Sequence, residues 1–459
     1  MVTVLYCTVC VTLCLIISAG WGWEVGTASG ARGAGQPCPA SPSTLLLAGM
    51  APSFWFWLVP YGGDSGHAKY QHGLVALAEG LVARGAVVRA NVDYWPLQAN
   101  SSNVLFRRTR AAPESFDVVV TCWLRLYHVD DSRKKAPLHP IFARRSRSDQ
   151  TSRKPIRMLI DWKLGQPNQA YWARSLSHFD VIYRSHFSSS NVPSEAVRTG
   201  RVRIGGFHWT ARMRSALRAA QQARTEPRAQ TLLWAHSGAA LMHTVRRRAQ
   251  PLVKELATAV HLRIHKVRKC SKETQAVPAE DKHHTCSLSP QAAREETHWL
   301  NHTGGRHHVD YYAQLVGSTA CDASGGYFFP CRGPGTPEGE RRSHRGCIYQ
   351  WESFKLAEMF LSGCAVFMPD LKHYQLRLAN MPTPWVDYVP YVLEMSEQKA
   401  LVERLAASAS HSMPGVDIDL LRIGRNGRRW AERHYSPLAF ADRVLADLAL
   451  SDQARTGAI

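Results

Sequence analysis

The sequence predicts an α/β fold of two doubly wound domains, each a mostly parallel sheet covered by helices. Three observations carry this expectation. Short apolar runs bounded by turn residues recur at 54–59, 86–90, 117–121, 156–160, 181–184 and 202–204, then again at 231–235, 261–266, 319–323 and 364–368. Between several of them lie segments with helical spacing, such as Leu74, Leu77, Ala78 and Leu81. Strands alternating with helices indicate parallel sheets buried on both faces. Finally, 459 residues exceed one ordinary domain and suit two.

The first unit is expected over residues 51–227. Its opening run ends at Pro60 and leads into Tyr61-Gly62-Gly63-Asp64-Ser65-Gly66, then a helix stopped by Gly85 and the strand 86–90. This is a βαβ unit with a glycine-rich first turn. The basic stretch 143–154 reads as a solvated insertion. The second unit, 228–450, opens with strand 231–235, a loop through His236-Ser237-Gly238 and a helix to about Leu256. Residues 269–308 are polar, histidine-rich and aperiodic, and read as an exposed insertion. Helices are expected at 311–316, 419–434 and 437–450.

Ahead of both units, residues 1–23 contain no Lys, Arg, Asp or Glu, and 2–17 is mostly apolar. Its length suits a signal peptide or a signal anchor, with Ser18-Ala19-Gly20 offering small residues for cleavage. Residues 24–50 form a Gly/Ala/Pro/Ser-rich stem or linker. These features predict the secretory pathway, with a Golgi lumenal or secreted destination. Asn100-Ser101-Ser102 and Asn301-His302-Thr303 are glycosylation sequons compatible with it. Three of the eleven cysteines sit in the leader. Of the others, Cys270 with Cys286, and two of Cys321, Cys331 and Cys347, bracket loops that a bridge would close in an oxidising lumen.

The formal charge of +20 favours anionic ligands, among them nucleotide diphosphates, acidic glycans and membrane surfaces. No nucleic-acid module or basic–aromatic stacking pattern is present, so nucleic acid is excluded as a partner. Gly62-Gly63-x-x-Gly66 lacks the dinucleotide spacing, which argues against an oxidoreductase. The histidines of 269–308 show no metal-ligand register with a carboxylate. Asp417-Ile418-Asp419 reads as helix capping, so no metal is expected.

Residues 351–370 are the most informative. Ser353 is placed to cap a helix in which Phe354, Ala357 and Leu361 share a face. Gly363 ends it, and 364–368 is a buried strand stopped by Pro369. Lys355 and Glu358, three apart, point the same way. A helix N-terminus bearing a lysine suits a diphosphate, and a carboxylate one turn on suits ribose hydroxyls. The alternative is a solvated Lys–Glu pair.

This block resembles the donor-binding signature of GT-B glycosyltransferases, in particular the exostosin-like enzymes and the α-1,3-fucosyltransferases. Ser353, Lys355, Glu358, Gly363 and Cys364 fall in matching order. Residues 311–324 resemble the helix and strand leading into the donor loop. Trp234-Ala235-His236-Ser237 followed by Arg246-Arg247-Arg248 resembles the strand, loop and arginine that contact the donor diphosphate. The resemblance covers about residues 231–448. The Gly/Pro insertion before Gln350 departs from it, as does a lysine where one family has arginine. It implies two Rossmann-like domains facing across a cleft and a metal-independent glycosyltransferase without a cofactor, whose substrates are a nucleotide sugar and a glycan or glycoprotein. Ser237, Arg247, Ser353, Lys355 and Glu358 would hold the donor. An inverting reaction would need a base on the N-terminal side, for which His67, Asp64 and Asp161 are candidates. The rival reading is an inactive GT-B protein that binds glycans or other polyanions.

Overall fold

Alternation along the first strand sets the architecture: Phe54 and Phe56 pack into one hydrophobic layer and Trp55 into another. A strand buried on both faces needs helices on both sides. The computed structural model describes residues 51–58, 71–98, 102–122, 139–143, 155–162, 169–188, 192–234, 244–266, 309–330, 346–349, 351–352, 354–409 and 418–456. The leader, the stem, the asparagines of both sequons, Cys270, Cys286, Cys331 and the histidine-rich insertion lie outside these.

The first sheet contains β1 (Ser53–Trp57), β2 (Val87–Ala90), β3 (Tyr94–Pro96), β4 (Val104–Arg108), β5 (Val118–Cys122), β6 (Ile156–Asp161), β7 (Val181–Arg184) and β8 (Val202–Ile204). Their order is β3-β4-β2-β1-β5-β6-β7-β8, parallel except where β3 meets β4. Helices α1 (His72–Ala83), α2 (Gln169–His178), α3 (Ser194–Arg198) and α4 (Ala211–Ala223) accompany it. The short pair β3–β4 carries too little alternation to stand out in the sequence.

The second sheet has order β10-β9-β11-β14-β15, all parallel. Its strands are β9 (Ala229–Trp234), β10 (Arg263–Lys266), β11 (Ser318–Asp322), β14 (Ala365–Pro369) and β15 (Val389–Tyr391), while β12 (Tyr327–Pro330) and β13 (Gly346–Tyr349) form a separate antiparallel hairpin. The helices here are α5 (Thr244–Ala259), α6 (Val309–Gly317), α7 (Phe354–Ser362), α8 (Met395–Ala409) and α9 (Leu420–His434). As expected, α7 stops at Gly363, which holds a φ of 76° that favours glycine. Asp419 caps α9 by accepting the Arg422 N–H at 2.9 Å.

One expectation is corrected for Cys321 alone: of the three cysteines from which a loop-closing pair was expected, Cys321 is bonded to Cys364 instead. Cys321 lies on β11 and Cys364 just before the neighbouring β14, which brings their Cα atoms within 5.9 Å. Cys347 is also disulfide-bonded. Both cysteines of the Cys321–Cys364 bridge are buried in the sheet core, so this bridge does not bracket a loop, while Cys331, the other expected partner of Cys347, lies outside the described residues.

The last helix, α10 (Pro437–Thr456), returns to the first sheet and packs on α1. Tyr183 at the end of β7 donates its hydroxyl to Asp447 at 2.7 Å, and Arg203 pairs with the same carboxylate at 2.7 Å. Gly80 permits the approach: a Cβ there would lie 2.0 Å from the Pro437 carbonyl oxygen. Backbone cannot yield as a side chain can, so Gly80→Ala should destabilise the fold by about 1–3 kcal/mol through overpacking. Arg84→Gln, which breaks an exposed pair between the residue after α1 and Asp442 on α10, should change stability by at most about 1 kcal/mol. Denaturant melts of the two variants check the contrast.

Candidate functional site

In the second sheet the strand order reverses between β9 and β11. At such a switch point the connections leave in opposite directions and open a crevice at the carboxyl ends of the strands. Because the strands are parallel, the helices between them run back, so α5, α6 and α7 all begin at this edge. The positive ends of three helix dipoles therefore lie at this edge.

The chain adds cations there. Arg246, in the first turn of α5, reaches across the switch point and donates Nε–H to the Ser324 carbonyl at 3.1 Å, two residues beyond β11. Thr244 and Val245 hold the same loop: the Thr244 hydroxyl accepts Phe328 N–H at 2.6 Å and Val245 N–H reaches Gly326 O at 3.3 Å. Beneath Arg246 the Ser324 hydroxyl donates to Asp322 at 2.6 Å and meets the Tyr391 hydroxyl at 2.5 Å. Burial lowers the Arg246 pKa, while Asp322, Tyr327 and Tyr391 oppose that shift. Burial, then the Asp322 charge, pushes the Tyr391 phenol well above its ordinary range. Arg248 lies over the Phe328 ring at 4.6 Å. Arg247, the arginine expected at the donor, is exposed. At helical spacing only one of the three can turn toward β11, and it is Arg246.

On α7, Lys355 and Glu358 do share a direction, toward α6. The Lys355 ammonium is 6.0 Å from the centre of the Tyr311 ring, in the first turn of its helix. Glu358, expected to face a ribose, is 3% exposed and accepts the Tyr312 hydroxyl at 3.1 Å. Burial, then the Glu358 charge, raises the Tyr312 phenol well above its ordinary range. The contact ties α6 to α7. Ser353 and Ser237 lie outside the described residues.

A residue the sequence reading passed over lies just before α7. The buried Glu352 carboxylate accepts Phe207 N–H at 2.8 Å and the Tyr435 hydroxyl, and its own N–H donates to His186 Nδ1 at 3.3 Å. Phe207 follows β8 and His186 follows β7, so the start of α7 is bound to the carboxyl edge of the first sheet. His208 stacks on Tyr435 and Phe440, and Arg443 reaches its Nε2 at 2.7 Å. Burial and neighbouring Arg184 hold the His186 pKa well below the ordinary histidine range; burial and Arg443 do the same for His208. Both are neutral at physiological pH. Gly206, at φ 118°, is required here: a Cβ would sit 3.2 Å from the Tyr435 hydroxyl and 3.3 Å from Glu352 Oε1. A second contact joins the two edges, where Arg377 N–H, beyond β14, donates to Phe187 O at 2.9 Å.

Of the base candidates, Asp64 and His67 lie outside the described residues. Asp161 ends β6 fully buried, with its carboxylate 2.8 Å from the Arg184 guanidinium on β7. Asp161 and Arg184 are register partners, so the pairing follows from the strands themselves and engages the carboxylate inside the sheet.

No family model matches the sequence, and no curated protein matches it. Among solved structures the chain is similar to one from Listeria monocytogenes assigned as a UDP-N-acetylglucosamine 2-epimerase, with 9% identity, 89% of this chain and 98% of that chain covered, and a TM-score of 0.33. UDP-GlcNAc 2-epimerase from Methanocaldococcus jannaschii overlaps with 8% identity, coverages of 84% and 99%, and a TM-score of 0.30. WaaG, a glycosyltransferase involved in lipopolysaccharide biosynthesis, overlaps with 13% identity, coverages of 86% and 98%, and a TM-score of 0.30. At that degree of overlap the function has to be read from this chain's own residues.

The Glu352 anchor has two measurable consequences. Glu352→Ala strands the Phe207 N–H and the Tyr435 hydroxyl in a buried setting and should destabilise by about 2–4 kcal/mol. Burial raises the Glu352 pKa above 4.5, the contacts with Tyr435, Phe207 and His186 opposing it. A carboxyl raised in the folded state contributes stability that is present below its unfolded pKa and lost as pH climbs through the folded one. Wild type should therefore lose stability relative to Glu352→Gln as pH rises above 4.5, read from melts of both proteins in parallel.

Proposed function

We propose that this protein transfers a sugar from a nucleotide-sugar donor to a glycan or glycoprotein acceptor in the lumen of the secretory pathway. The observation that carries the reading is the crevice at the β9/β11 switch point. Three helices begin at that edge, and Arg246 and Lys355 occupy the first turns of two of them. A cation in the first turn of a helix opposes the dipole. The arrangement becomes favourable once an anion binds between them, and a diphosphate matches both its charge and its oxygens. When the sugar–phosphate bond breaks, negative charge grows on the leaving diphosphate, and fixed donors stabilise it without reorganising.

In this reading Lys355 meets the diphosphate, Arg246 positions the loop after β11 against it, and Ser237 and Ser353 complete the cradle. Glu358 holds α6 against α7 and acts on the donor through that packing. The helix ends and basic side chains take the part a divalent ion plays elsewhere, so turnover should persist in chelator. The acceptor faces the loops after the first sheet, with Asp64 or His67 as base if the reaction inverts. The buried Cys321–Cys364 bridge and the uncharged leader support an oxidising lumen.

A panel of UDP- and GDP-sugars with purified lumenal protein, followed by nucleoside diphosphate release in the presence of chelator, tests the activity. On the donor that is turned over, Lys355→Ala should slow transfer by about 30- to 1000-fold, equivalent to roughly 2–4 kcal/mol of transition-state stabilisation. Its melt should stay unchanged. Near-normal turnover in that variant removes Lys355 from the reaction. Expression in secretory cells should give protein whose mobility shifts on glycosidase treatment through Asn100 or Asn301; a cytosolic, unshifted product contradicts the compartment.

A further inference from the structure

Where the first sheet meets the approach to α7, His186 combines two unfavourable features that local packing leaves uncompensated. It holds a φ of 51°, in the left-handed region that strains a residue with a Cβ. It is also 2% exposed, and its Nε2 has no hydrogen-bond partner among the described residues.

The other ring nitrogen decides what Nε2 is. Nδ1 accepts the Glu352 N–H at 3.3 Å, which requires it to be unprotonated, so the ring proton sits on Nε2. His186 is therefore a fixed N–H donor, kept neutral by burial and then by the Arg184 charge. It cannot serve as a base, because its one lone pair is already engaged. Lying across the ring from Nδ1, the Nε2–H points away from the Glu352 backbone.

Two further donors at this junction are buried and unpartnered among the described residues. They are the Ser185 hydroxyl, just before His186, and the Trp351 indole N–H, one residue ahead of Glu352. Buried donors without acceptors are rare in native chains, and each calls for an explanation. The junction is also where a ligand would sit. β7 ends here at the carboxyl edge of the first sheet. The loop after β14 meets it through the Arg377 N–H bond to Phe187 O at 2.9 Å and the Ser188–Leu376 bridge.

We propose that His186 is a ligand of the anion bound ahead of α7, its Nε2–H donating to an oxygen of the donor's diphosphate. This rests on the glycosyl-transfer reading and adds to it a diphosphate contact from the first sheet. The donor-only character of the groups selects the ligand class. An indole N–H and a neutral imidazole N–H can give a hydrogen bond here but cannot take one. A water or a sugar hydroxyl set against them would still need an acceptor for its own proton. An ionised diphosphate brings acceptor oxygens alone, and bonds to a charged acceptor are the stronger ones. Being fixed by Glu352, the donor would need no reorganisation as charge grows on the leaving group.

The experiment uses the full lumenal protein with inorganic pyrophosphate as the probe and no sugar donor, by titration calorimetry beside thermal melts. Two substitutions separate support from binding. His186→Asn tolerates the left-handed backbone and offers an amide oxygen to the Glu352 N–H, but it is too short to reach beyond. His186→Gln carries an amide N–H near the position of Nε2. The Asn variant should melt close to wild type yet bind pyrophosphate at least about tenfold more weakly, and the Gln variant should return to within about threefold of wild type. Binding in the Asn variant within about threefold of wild type would reduce His186 to a support for Glu352 and overturn the proposal. So would equal weakening in both variants, or wild-type protein that does not bind pyrophosphate. Should the Asn variant melt early, wild-type protein carrying isotopically labelled histidine decides. The Nε2–H resonance that is absent from the Gln variant should move downfield as pyrophosphate is added, and a resonance that stays in place overturns the proposal. Because no transfer is measured, selective loss of binding in the Asn variant would stand even if every nucleotide sugar failed in the turnover assay. Donor turnover with unchanged pyrophosphate binding in the Asn variant would remove this inference alone.

Discussion

The Glu352 carboxylate is buried and receives two donors from distant parts of the chain, the Phe207 N–H and the Tyr435 hydroxyl. Much of the molecule's functional geometry depends on it. A carboxylate without water must be hydrogen-bonded, so the loop after β8, the end of α9 and the approach to α7 are held to fixed positions around one side chain. Gly206 holds a φ of 118°, which side chains rarely adopt, and a Cβ there would crowd this group at 3.3 Å. His186 completes the arrangement through the Glu352 backbone. The helix carrying Lys355 is thereby located relative to the first sheet and not only to its own.

Around that anchor, the chain accepts locally unfavourable electrostatics. Arg246 and Lys355 each stand at the positive end of a helix. A cation in the first turn of a helix is disfavoured by the dipole, and a bound anion would offset that cost. Other polar groups at the second sheet's carboxyl edge bond one another: Asp322, Ser324 and Tyr391 form one cluster, and Tyr374 donates to Glu394. Glu358 belongs with these groups, since its partner Tyr312 is as buried as itself.

Much of the fold was legible. Apolar runs such as 156–160 and 364–368 become β6 and β14 because strands buried on both faces cannot tolerate polar interruption. Gly363 and Asp419 act as helix stop and cap through their own backbone and side chain, which neighbouring residues alone decide. The pair β3–β4, the hairpin β12–β13 and the three-residue β15 were not legible, because such short strands owe their existence to partners far along the chain.

The sequence by itself determined the alternation of strands and helices, the basic character, and the presence of a lysine and arginines at helix starts, all of which depend on local spacing. Tertiary structure decided which of those groups meet. Arg246 rather than Arg247 crosses the switch point because β11 lies on that side of α5. Cys364 reaches Cys321 because β14 and β11 are neighbours despite a separation of 43 residues. Asp161 is engaged by Arg184 through strand register, and Glu352 gains its partners from residues 145 and 83 positions away. Such contacts are set by how the two sheets and the last helices pack, and no window of sequence contains them.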